Sequence, residues 1–159
     1  MPKKMKRNKD CPFCKPNVLG ETFLESKNFR AVYNVAPILP GHSMIVPKSH
    51  IKSMMELGDK EICEFVLLSR DAIRVLQKAF RTKAFNWGVQ DGEAAGQTVS
   101  HLHIHIIPRS VKDLPTPGSW YPRMVSWENK VIDSRSRKRF TGSEMKKIVA
   151  HLKGIAKGV

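Results

Sequence analysis

The sequence predicts an α+β fold in which a small antiparallel sheet is covered on one side by helices. Short stretches at residues 28–35, 43–46, 84–90 and 101–107 carry apolar side chains at every second position, and each has the length of a strand. Residues 59–82 instead carry Ile62, Phe65, Val66, Ser69, Ala72, Ile73, Leu76, Ala79 and Phe80 at steps of three and four. That is the stripe of one long helix, which must be laid against the sheet to be buried.

Taken in order, residues 1–10 read as a basic, disordered leader ahead of a core at 11–110. The core opens with Cys11-Pro-Phe-Cys14, a tight pair that is either a redox motif or half of a zinc site. A redox pair belongs beside a βαβ pattern, which this region lacks, while a structural zinc needs two further ligands. Phe29, Ala31 and Tyr33, then Met44 and Val46, mark two half-buried strands joined by a turn ending Pro40-Gly41. Asp59 is a natural N-cap for the long helix, and Cys63 within it is expected in the core. Residues 84–90 form a further strand, followed by a turn over 91–97 rich in glycine and acidic residues. After Arg109 an irregular segment contains Trp120, Tyr121 and Trp127, whose expected role is packing rather than lining a cleft. Thr141 and Glu144 then form a capping box for a last helix whose inner side carries Met145, Ile148, Val149 and Leu152. Residues 111–159 therefore belong to the same single domain, as expected of a chain of 159 residues.

The composition, 41% hydrophobic and 26% charged, is that of an ordinary globule, and no apolar run reaches the ~18 residues a membrane span requires. No signal-peptide core is present, so the cytoplasm is the expected compartment. Lys and Arg outnumber Asp and Glu by 28 to 14, a net charge of +14 that implies polyanionic company. Much of it lies in residues 1–9 and 134–140, as basic runs without the aromatic stripes that bind single strands. Phosphorylated small molecules are thus expected as partners ahead of specific nucleic-acid binding.

The chemistry concentrates in residues 96–109, GQTVSHLHIHIIPR. His101, His103 and His105 alternate with Leu102, Ile104 and Ile106, so the three imidazoles are expected on one side of a strand, about 7 Å apart along it. Imidazole serves as acid or base, metal ligand or nucleophile, and neither a serine elbow nor a phosphate-binding glycine loop offers a rival nucleophile.

The run His101-Leu-His-Ile-His-Ile-Ile107 resembles the defining motif of the histidine triad family, His-φ-His-φ-His-φ-φ with φ apolar. The flank GVQDGEAAGQTVS is similar to that of the fragile histidine triad branch, the dinucleoside polyphosphate hydrolases. The resemblance implies a five-stranded antiparallel sheet, continued across a homodimer, and a reaction in which His103 attacks the α-phosphorus of a nucleotide phosphoanhydride. His105 and His42 would support His103, Asn34 would meet the ribose, and Gln90, Gln97 and Thr98 would meet the phosphates. It also implies one structural zinc per chain, held by Cys11, Cys14, His50 and His101. Retention of histidine at 105, where transferase and phosphorylase relatives often carry glutamine, favours water as acceptor. The alternatives are a nucleoside phosphoramidase, a nucleotidyl transferase, or a nucleotide-binding protein whose triad is a relic.

Overall fold

The computed structural model describes residues 6–124 and 137–159. Five strands form one antiparallel sheet: β1 (Thr22–Glu25), β2 (Phe29–Tyr33), β3 (Ser43–Pro47), β4 (Ala84–Val89) and β5 (Ile104–Arg109), in the order β1-β2-β3-β5-β4. Among the described residues four helices accompany it: short α1 (Val18–Glu21), the long α2 (Asp59–Phe80), short α3 (Trp120–Met124) and α4 (Gly142–Ala156).

Alternation along the strands sorts side chains to two faces. Phe29, Ala31 and Tyr33 of β2, Ile45 of β3, and Ile104 and Ile106 of β5 pack with Leu102 against Phe65, Ala72 and Leu76 of α2 and Val149 and Leu152 of α4. Burying one such side chain contributes ~1.5–3 kcal/mol. The exposed Asp71–Arg74 pair on the outside of α2, at 2.8 Å, contributes only ~0.3–0.5 kcal/mol, so the apolar stripe decides where this helix lies. The opposite face holds Val32, Met44 and Val46 with Val18 of α1, and Phe13 packs on them. Met44 is the cross-strand partner of His105, so the histidines share this second face, away from α2 and α4.

Several expectations need correction. β1 was not apparent in the pattern, because four residues, TFLE, are too few to show alternation and a register shift interrupts its pairing with β2. The long helix begins one residue earlier than expected, at Asp59 itself rather than after it. Gly58 takes the N-cap place, its N–H donating to Glu61 Oε2 at 3.0 Å, and Arg81 ends the helix in a left-handed conformation. Cys63 is exposed on α2 rather than buried. The leader is partly folded onto the chain, since Lys6 N–H donates to Ser49 Oγ and its carbonyl accepts from His50 N–H. Trp127 and residues 134–136 of the second basic run lie outside the described residues.

The strand bearing the triad also starts late, at Ile104, so only His105 of the three lies in the ladder. The backbone before it is bonded elsewhere. Leu102 N–H goes to the Ile51 carbonyl, and the His101 carbonyl is taken by a histidine side chain. Gly41 at φ 87° ends the β2–β3 turn, where an added Cβ would come within 2.7 Å of Pro108 Cγ and 2.9 Å of the Phe80 ring. Glycine thus allows the turn to close tightly on the sheet and deliver the next residue, His42, into the interior.

Candidate functional site

Two clusters meet at residues 101–105. In the first, Cys11, Cys14, His50 and His101 place one donor atom each within 4.8 Å of all the others. Cys11 Sγ lies 3.3 Å from His101 Nδ1, and Cys14 Sγ lies 3.5 Å from His50 Nδ1 and 3.7 Å from His101 Nδ1. Bonds of about 2.3 Å to sulfur and 2.0–2.1 Å to nitrogen at tetrahedral angles put sulfur and nitrogen about 3.5 Å apart. The donor set therefore fits a tetrahedral ion. His101 Nε2 faces the Pro47 carbonyl at 3.0 Å, which can only accept. The proton is on Nε2, and Nδ1 turns its lone pair toward the thiols. Burial raises the Cys11 thiol above its ordinary range and pushes His101 down to about 4, against the Pro47 bond that favours its protonation. The N-terminal turn at residues 11–14, the chain after β3 and the triad each supply part of this group, so an ion here would tie the N-terminal segment to the sheet.

The second cluster is His103, His105 and His42, all buried. The rings of His103 and His105 stand 5.0 Å apart and those of His105 and His42 5.1 Å apart. Burial pushes all three below the ordinary histidine range, His42 down to about 3 and His105 well below it, so they are neutral near pH 7.

Backbone partners then fix where each proton sits. His103 Nδ1 is 2.7 Å from the His101 carbonyl oxygen and must donate to it, so Nε2 keeps the lone pair. His42 Nδ1 accepts from Ile38 N–H at 3.2 Å, which leaves the His42 proton on Nε2. That proton is given to His105 Nδ1, 2.9 Å away, and makes His105 Nε2 an N–H donor. His105 Nε2 is buried and has no partner among the described residues. The site thus presents an imidazole lone pair beside an unspent N–H, the pair of functions needed to attack a phosphorus atom and hold one of its oxygens.

The remaining sequence-derived residues divide. Asn34 is buried beside His42, but its Oδ1 accepts from Ala36 N–H at 2.9 Å, so it also caps the turn. Gln90 directly follows β4, whose Val89 pairs with Ile104; one step further in that register is His103. Its Oε1 is buried and has no partner among the described residues, an acceptor open to a donor. Gln97 is spent on structure: Oε1 accepts from Gly92 N–H at 3.0 Å and Nε2 donates to the Lys52 carbonyl at 2.8 Å. Thr98 is exposed.

Three residues near the site carried no functional expectation of this kind. Phe13 packs on His101 and His103, with ring centroids 5.5 and 5.3 Å away. Trp120 lies over Gly88, the cross-strand partner of His105, and a Cβ there would meet it at 3.2 Å. Arg137 donates from Nε to the Ala36 carbonyl at 2.7 Å. In the sequence Trp120 stood out only as a packing residue and Arg137 only as part of the basic run at 134–140.

Comparison with known proteins agrees with this geometry. A family model described as the HIT domain matches residues 16–112. The chain is 33% identical over 134 residues to the asymmetrical bis(5'-nucleosyl)-tetraphosphatase of Schizosaccharomyces pombe, covering 83% of this chain and 74% of that protein. It is 39% identical over 91 residues to the AP-4-A phosphorylase of Mycobacterium tuberculosis, where the match spans 57% of this chain and 47% of the relative. Among solved structures, a Plasmodium falciparum diadenosine triphosphate hydrolase superposes with a TM-score of 0.68 at 27% identity, covering 87% of this chain and 78% of that one.

Proposed function

Since the chain belongs to the HIT-domain family, we propose that it is an enzyme that hydrolyses dinucleoside polyphosphates, cleaving a phosphoanhydride through a covalent nucleotidyl-histidine. The observation that carries the reading is the lone pair on His103 Nε2, left free because Nδ1 donates to the His101 carbonyl.

His103 Nε2 gives its electron pair to the α-phosphorus while the bond from phosphorus to the bridging oxygen breaks. The electrons leave on that oxygen with the nucleoside polyphosphate, and His105 Nε2–H donates to the charge that develops on the phosphoryl group. A water molecule then attacks the same phosphorus, the P–N bond breaks, and a nucleoside monophosphate departs as the imidazole lone pair returns. Asn34, Gln90 and Thr98 are assigned to substrate, Asn34 with the ribose and Gln90 and Thr98 with the phosphates, and His42 to holding His105. Gln97 serves this site through the Gly92 turn it holds.

Cys11, Cys14, His50 and His101 would hold one zinc ion. With four protein ligands it supplies no open position for chemistry and acts as a staple.

Tri- and tetraphosphates of adenosine are the expected substrates. Diadenosine tri- and tetraphosphate should be cleaved to AMP plus ADP or ATP, identified by chromatography, at rates well above that on adenosine 5'-phosphoramidate. Turnover confined to the phosphoramidate, or dependent on added inorganic phosphate, rejects the reading in favour of the phosphoramidase or the phosphorylase.

A homodimer suits the sheet's outer edge, because β4 is a terminal strand and its Phe85, Trp87 and Val89 expose one apolar stripe. Sedimentation should give the mass of two chains, reduced to one by Trp87→Glu; a single-chain mass for the unaltered protein removes the assignment. No helix among the described residues is long and apolar enough to cross a membrane. The cytoplasm, where thiols such as Cys11 and Cys14 stay reduced, is the compartment assigned on the same footing, with cell fractionation as its check.

A further inference from the structure

We infer that Trp120, carried over the reaction face by α3, is the surface on which the base of the second, departing nucleoside stacks, so that the site prefers two-base to one-base nucleotides. This rests on the nucleotide reading above and extends it to the far end of the substrate.

Packing was the role expected of Trp120, but the ring joins neither apolar cluster of the sheet and is only half-buried. Gly88 is the direct cross-strand partner of His105, so a side chain at either position leaves the same face. A Cβ on Gly88 would meet the indole at 3.2 Å from Cη2 and 4.0 Å from Cζ3. The ring therefore stands on the histidine side of β4, opposite the face from which Phe85, Trp87 and Val89 project. Tyr121 meets it edge-on, with ring centroids 5.8 Å apart.

The segment that delivers the ring is tied down. Arg109 grips Asp113 through Nε to Oδ2 at 2.9 Å and Nη2 to Oδ1 at 2.8 Å. Its Nη1 donates to Asn86 Oδ1 on β4 and, at 2.7 Å, to the Pro117 carbonyl. Thr116 N–H then donates to Ser119 Oγ at 3.2 Å, closing the turn that opens into α3. A base stacking on the indole meets a surface already positioned.

The order of strands says which base it takes. Asn34, assigned to the ribose of the attacked nucleotide, follows β2; His42 precedes β3, His105 lies on β5 and Trp120 covers β4. Three inter-strand steps of ~4.8 Å, roughly 14 Å, separate the ribose position from the indole, with the attacked phosphorus between them. The indole is thus on the leaving-group side, beside the strand that ends at Gln90. Its π-face accepts any base and adds no charge that would retain a polyphosphate product.

Equilibrium binding on the full chain tests this with two ligands that resist cleavage. One is diadenosine tetraphosphate with methylene groups replacing both outer anhydride oxygens; the other is α,β-methylene ATP. The unaltered protein should bind the two-base ligand more tightly. Trp120→Ala and Trp120→Leu, the second keeping apolar bulk without a π-face, should each weaken it about 5- to 100-fold, the range for one base stacked on an aromatic ring. The one-base ligand should change less than about 3-fold, and Trp120→Phe should keep most of the preference. An unaltered protein without the preference, or an undiminished preference in the leucine variant, overturns the inference. So does an equal loss for both ligands, the mark of packing alone. Hydrolysis of diadenosine tetraphosphate is scored apart. If the unaltered protein cleaves none but its preference depends on Trp120, the hydrolase reading fails and the second-base assignment stands. Cleavage with a preference indifferent to Trp120 keeps the hydrolase reading and removes this assignment.

Discussion

His103→Asn is expected to leave a folded protein that still binds nucleotide and turns it over at least about 10⁴-fold more slowly, the scale on which removing a covalent nucleophile acts. Asparagine suits the test because its amide can still donate toward the His101 carbonyl, as His103 Nδ1 does now at 2.7 Å, but it offers no basic nitrogen at the position of Nε2. The side chain is buried, so the smaller residue leaves a space costing about 1–2 kcal/mol of stability, too little to unfold an ordinary domain. Rapid-quench mass spectrometry should find an adenylyl adduct on the unaltered chain during turnover of diadenosine tetraphosphate and none on the variant. Comparable turnover by the variant would exclude covalent catalysis at this ring. Loss of nucleotide binding together with turnover would instead make His103 a binding group.

The opposite pattern is expected for groups that act only through a neighbour. His42 touches His105 and not the reaction face. Its value lies in passing the direction of one backbone N–H, that of Ile38, through two rings to an N–H at the site. No position in a sequence announces such a relay, because its first member is a main-chain amide. The triad itself was legible, since alternation put three imidazoles on one face with Leu102, Ile104 and Ile106 on the other, and the structure keeps that division. The strand boundary was not legible, because whether the backbone at His101 joins the ladder depends on what the His103 ring does with its carbonyl. Gln97 shows the same limit from the other side. Its place before the triad suggested phosphate, but both ends of its amide are used to hold the Gly92 turn against Lys52. The long helix, its apolar stripe and the capping box at Thr141 were readable because their causes lie within one or two turns of chain. β1 pairs with the neighbouring β2 but is too short and too irregular in register to show alternation, whereas Arg137 owes its place to a partner 101 residues away that no local pattern could report.

Cys14→Ser is expected to have the second largest effect, through stability first and catalysis after it. Four ligands from three separate stretches would make a bound ion a crosslink, so losing one thiolate should take the metal content from one zinc per chain to near zero. The domain has its own core beneath α2 and α4, so the loss should not unfold it outright as it would a zinc finger. A cost of about 3–5 kcal/mol, read as a fall of roughly 10 °C in Tm, is the expected scale for a chain of this size. The catalytic consequence passes through His101, whose ring faces the thiols while its carbonyl fixes the His103 tautomer. Phe13, between the two cysteines, packs on the His103 ring and would be released with them. The variant should therefore lose about 10- to 100-fold in kcat with a smaller change in KM, the mark of a misaimed nucleophile rather than a damaged binding site. Chelated protein should behave alike and recover when zinc is restored, whereas the serine variant should not. Elemental analysis, thermal unfolding and kcat measured on one preparation decide it: an unaltered chain free of zinc, or a serine variant of undiminished Tm, would show that the four residues form no staple.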